Sequence, residues 1–110
     1  MAQTKTLNAI RFLHKCIEDN GVRVSRIVLF GSHATGNASE ESDIDIVIIS
    51  HDFLGKSIFE RAVMTGKAER LAIRKFMVPF DIITMTPEEF DNGDSIIADY
   101  AKQGKIVFAA

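Results

Sequence analysis

The chain has 110 residues, 46% of them hydrophobic and 25% charged, which is the composition of one small folded domain with a single core, here taken as residues 1–110. Its longest aliphatic run, Ile46-Val47-Ile48-Ile49, is far too short to cross a bilayer, and a lone cysteine, Cys16, excludes an internal disulfide. The formal net charge of −2 is unevenly spread: five bases face two acids in 1–30, six face two in 56–75, and 80–99 holds six acids with no Lys or Arg. That balance argues against a field that would hold duplex nucleic acid and suits local contact with a small anion.

In chain order, Met1 to Lys5 has no apolar stretch after its charge, so no signal peptide is expected and a cytoplasmic location without membrane contact is. Leu7, Ile10, Leu13 and Ile17 recur at helical spacing, predicting a helix over 4–20 that Asn20-Gly21 ends. Ile27-Val28-Leu29-Phe30 reads as a strand buried on both faces. Residues 31–41, rich in Gly, Ser, Thr, Asn and Ala, predict a tight turn with room for a short helical piece, then a loop. A β-branched strand follows over 43–50.

Residues 56–76 predict a helix whose apolar side is Ile58, Phe59, Ala62, Val63, Leu71 and Phe76, weakened at Gly66. Pro79 opens a third strand over 79–84, where its missing amide proton does least harm. Thr86-Pro87-Glu88-Glu89 predicts a helix start, with Thr86 as N-cap and Glu89 closing a capping box. A further helix over 95–103 ends at Gly104, and Ile106-Val107-Phe108 is a last strand. The fold class is α+β, a small mixed sheet flanked by helices in the order αββαβααβ.

Chemistry concentrates between the first two strands. Gly31 lets backbone approach a ligand closely, and the exposed amides of such a turn form an anion cradle to which Ser32 adds a hydroxyl. Asp43 and Asp45, two apart on a strand, share one face, where two carboxylates repel each other unless a divalent cation lies between them. Few protein oxygens with room for phosphate oxygens and water suit Mg²⁺. Asp81 interrupts an otherwise apolar strand and needs a partner, so it is the candidate third acid if that strand lies beside the second.

These residues, Leu29-Phe30-Gly31-Ser32-His33-Ala34-Thr35-Gly36 followed by Ser42-Asp43-Ile44-Asp45-Ile46 and then Asp81, resemble the signature of the minimal nucleotidyltransferases of the DNA polymerase beta-like superfamily. The likeness extends over nearly the whole chain. It implies that Gly31, Ser32 and the neighbouring His33 hold a nucleotide's triphosphate, and that Asp43, Asp45 and Asp81 are catalytic and bind Mg²⁺, as two ions with nucleotide present. The implied reaction moves a nucleoside monophosphate from a nucleoside triphosphate, expected to be ATP, to an acceptor hydroxyl. Short members of the family are commonly antitoxins, so the resemblance also implies a HEPN-domain ribonuclease toxin as partner and a tyrosine on it as acceptor. Family members often carry arginine where this chain has His33, and a second base where it has Thr35. Arginine grips phosphate permanently and bidentately, and histidine does not. A catalytically weakened nucleotide- or metal-binding partner module is the alternative, and homo-oligomerisation stays open. Cys16 is read as core or half-buried, and His14 and His51 have no metal-ligand spacing.

Overall fold

A computed structural model describes residues 4–39 and 41–110. The elements are α1 (Thr4–Asp19), β1 (Arg26–Phe30), α2 (Ser32–Thr35), β2 (Ile44–Ile49), a 3-10 turn over His51–Phe53, α3 (Ile58–Phe76), β3 (Phe80–Met85), α4 (Pro87–Asn92), α5 (Ile96–Ala101) and β4 (Lys105–Ala109). The four strands form one mixed sheet in the order β3-β2-β1-β4. β1 pairs antiparallel with both β2 and β4, and β2 pairs parallel with β3.

The doubly apolar strands β1 and β2 are the central pair, buried on both faces as their composition requires. Alternate side chains serve two cores. Ile27, Leu29, Ile44, Ile46 and Ile48 meet Ala9, Ile10, Leu13 and Ile17 of α1 and Ala68 and Ala72 of α3. Val28, Phe30, Val47, Ile49 and Met85 meet Phe90 of α4 and Ala98 and Ala101 of α5. Each sheet face therefore has its own helical layer. Among the described residues no helix is long and apolar enough to cross a membrane.

Helix ends follow local chemistry. Thr86 accepts a hydrogen bond from the Glu89 amide at 3.1 Å, and Glu89 accepts from the Thr86 amide at 2.8 Å, the expected capping box with Pro87 in the first turn. Ser57 and Glu60 form a second such box at the start of α3. The predicted apolar side of α3 needs correction. Phe59 and Val63 are 80% and 82% exposed, Ile58 is exposed as well, and the buried side is Thr65, Ala68 and Ala72. α3 is wedged against α1 and the sheet, where small side chains let backbones approach, so Ile58, Phe59 and Val63 point outward, while the predicted Phe76, with Met64 and Ile73, packs half-buried against the core.

Candidate active site

Register brings the acids together. Asp45 on β2 lies directly opposite Asp81 on the parallel neighbour β3, and opposite Phe30 on β1. Adjacent strands are about 4.8 Å apart, so the two carboxylates leave one sheet face side by side. That face is the one Val47, Ile49 and Met85 present to α4 and α5. The two helices cover its far end, and the acid end is open: Asp43 and Asp81 are exposed and Asp45 is half-buried. Asp43 immediately precedes β2 and lies close enough to act on Asp45 electrostatically.

Gly31 follows β1 at the same end of the sheet. Its backbone, at φ 73° and ψ −157°, occupies a region essentially restricted to glycine. A Cβ placed there would collide with the Asp45 carboxylate, so the turn packs directly on that acid. One turn of helix, α2, begins at Ser32, and Gly36 closes it in the left-handed conformation with its amide on the Ser32 carbonyl. The first amides of a helix have no acceptor within it, so the turn offers N–H groups beside the acids.

Burial, then the charges of Asp81 and Asp43, push the Asp45 carboxyl above its ordinary value, with His33 opposing. Carboxylates crowded this way favour a cation or a proton between them. Among the described residues no three acids, imidazoles or thiols close into a ready-made metal cage. Two or three hard oxygen donors beside a turn with unpaired amides nonetheless fit Mg²⁺, an ion that takes its remaining ligands from water and phosphate oxygens.

His33 differs from its expected role. Its ring is turned inward, 9% exposed, with Nδ1 3.0 Å from Thr6 Oγ1 and Nε2 2.9 Å from the Ser42 carbonyl oxygen. Both nitrogens are engaged within the fold, so the expectation that the ring grips the triphosphate is corrected. Arg61, a cation that could have substituted, is also committed. Its guanidinium forks onto Glu89 at 2.7 and 3.0 Å and donates to the Thr84 carbonyl at 3.3 Å.

Sequence reasoning missed Glu69. This α3 carboxyl is raised by burial first and then by the charge of Asp81, which acts on it electrostatically. A signal existed in its spacing with Thr65, Ala68 and Ala72, the inward stripe of α3.

Residues 9–105 match the model of the nucleotidyltransferase domain family. A Methanocaldococcus jannaschii protein named "Putative protein adenylyltransferase MJ1305" is 35% identical over 80 residues, covering 71% of this chain and 51% of that protein. The chain thus spans about half the length of this curated relative. A crystal structure of a toxin–antitoxin with AMP-PNP superposes at TM-score 0.67 with 20% identity, covering 94% of this chain and 73% of that one. A structure of tri-AMPylated Shewanella oneidensis HEPN toxin in complex with MNT antitoxin superposes at 0.57 with 19% identity, covering 97% and 74%. At those identities the structural likeness establishes the shared fold. With the family match spanning most of its length and the acids in register beside the glycine turn, the chain belongs to the nucleotidyltransferase domain family.

Proposed function

We propose that the chain is a Mg²⁺-dependent nucleotidyltransferase that moves AMP from ATP to a protein hydroxyl. The observation that carries this reading is the side-by-side placement of Asp45 and Asp81 with Gly31 packed on Asp45. The Gly31 turn, with the amides of Ser32 and His33 that open α2 and the Ser32 hydroxyl, receives the triphosphate, and Asp43, Asp45 and Asp81 would hold the metal. When bound there, the divalent cation supplies neutralisation of the departing pyrophosphate and lowers the pKa of the attacking hydroxyl. The acceptor oxygen forms a bond to the α-phosphorus as the bond from that phosphorus to the β-bridging oxygen breaks. Asp81, the most open acid of the strand pair, takes the acceptor proton, and no covalent enzyme intermediate is needed.

A protein acceptor is supported by the relative named as a protein adenylyltransferase and by the fold neighbour crystallised with an AMPylated HEPN toxin. The proposed partner is accordingly a helical HEPN-type protein, with a tyrosine hydroxyl as acceptor. The test is incubation with α-labelled nucleoside triphosphates and Mg²⁺, alone and with such a partner, comparing wild type with the double variant Asp43→Asn/Asp45→Asn. Label transferred by wild type alone is expected, with ATP as best donor. Nucleotide binding without transfer would instead favour a binding module, and absence of both would sink the site.

A further inference from the structure

We propose that His33 is a positioning residue that sets the metal-binding acids against the phosphate turn; this rests on the nucleotidyltransferase reading of the site. The ring spans three segments. Its own backbone belongs to α2, directly after Gly31-Ser32. Nδ1 meets the hydroxyl of Thr6, itself buried on α1, at 3.0 Å, and Nε2 meets the carbonyl oxygen of Ser42 at 2.9 Å. Ser42 is the residue before Asp43, so the imidazole is one peptide unit from the first metal-site acid.

The polarity of this bridge follows from its partners. A carbonyl only accepts, so Nε2 carries the proton and donates it to Ser42. In the neutral ring Nδ1 is then an acceptor, satisfied by the Thr6 hydroxyl. The far side of Ser42 is tied down too. Its amide donates to the Ser39 carbonyl at 3.1 Å, and its hydroxyl accepts from the Ser39 amide at 3.0 Å. Ser42 is therefore held from both sides, with His33 the contact that reaches it from the phosphate turn. The acids need such a brace because carboxylates set side by side by the β2–β3 register repel one another. A shift of Ser42 would carry Asp43 away from Asp45, and partners of this outer kind commonly govern metal affinity.

The test measures Mn²⁺ bound by the intact chain with a non-hydrolysable ATP analogue, from the loss of the free-ion EPR signal, alongside analogue binding in EDTA and thermal melting. His33→Ala is expected to weaken Mn²⁺ binding about 10-fold or more, while analogue affinity in EDTA stays unchanged. His33→Gln, whose amide can still donate to Ser42, is expected to restore binding close to wild type. Thr6→Val, which removes only the outer contact, should fall between, and it carries the test if His33→Ala does not fold. Mn²⁺ binding equal to wild type in folded His33→Ala, or in Thr6→Val where only that folds, overturns the proposal. Weaker analogue binding in EDTA would mean that the ring serves the phosphate turn itself and not the acids, and overturns it as well. If wild type binds no Mn²⁺ with the analogue, the site assignment fails first, which distinguishes the two readings.

Discussion

Gly31 and Asp45 are one structural unit. The glycine adopts a conformation other residues reach only under strain, and its missing Cβ is the space the carboxylate fills. Gly31→Ala is therefore expected to lower stability by about 1–3 kcal/mol, read by urea denaturation, and to abolish transfer by pushing Asp45 aside. Asp45 shows the cost of crowding carboxylates. Its carboxyl titrates above the ordinary value in the fold, so the folded state holds its proton more tightly than the unfolded chain does. Its contribution is favourable at low pH and is lost as pH rises from the ordinary carboxylate value through the raised one. In metal-free buffer Asp45→Asn should remove part of that fall and melt higher at pH 7, by about 1 kcal/mol or less given solvent screening, while losing activity. A lower melting temperature for the variant would contradict the crowding. At this scale the sequence was informative about the turn at Gly31 and the nearness of Asp43 to Asp45, which follow from local spacing. It was silent on the inward turn of His33, which depends on a threonine 27 residues away.

Among the elements, α3 and α4 are locked across the open edge of β3 by one guanidinium. Arg61 forks onto Glu89, donates to Thr84 and lies 5.8 Å from the centre of the Phe53 ring. The hydrogen bond from Arg61 is the main reason the Glu89 carboxyl sits below its ordinary value. A depressed carboxyl stabilises the fold above its unfolded pKa, and that stability is lost as pH falls through the folded value. Arg61→Ala should therefore cost about 1–2 kcal/mol at pH 7, and the deficit should shrink in acid as Glu89 protonates. A deficit independent of pH would assign the loss to packing on Phe53 alone. Glu89 also closes the capping box of α4, so one carboxylate serves both the helix start and the clamp. The box was readable because its members are three residues apart. The clamp was not, because Arg61 and Glu89 are separated by 28 residues.

For the whole molecule, the two helical layers cover both sheet faces and leave the acid end of one face open, and under the proposed function a ligand bound there would stabilise the fold. Mg²⁺ and a non-hydrolysable ATP analogue added together should raise the melting temperature. The gain should approach about 2.7 kcal/mol at a hundred times the dissociation constant. Either component alone should do less, because each completes the other's coordination. The Asp43→Asn/Asp45→Asn variant should show no joint gain; an equal gain there would place the nucleotide elsewhere. The sheet order decides this coupling. Were β3 not the parallel neighbour of β2, Asp81 would stand apart from Asp45 and no shared site would form.

The sequence by itself determined the strands, the glycine turn, the paired acids and the threonine cap. Each is written in residues within a few positions of one another, where backbone geometry and side-chain period act directly. Only the tertiary structure decided which side of α3 faces the core, that the charge of Asp81 reaches Glu69, and that the His33 ring turns inward onto Thr6 and Ser42. Those outcomes depend on which surfaces are left to meet once helices and sheet have packed, and helical spacing does not encode that. Ile58, Phe59 and Val63 of α3 pointed the reading the wrong way for the same reason, whereas Phe76 does pack on the core: space between α1 and the sheet, and not hydrophobicity, selected Ala68 and Ala72 for the interior.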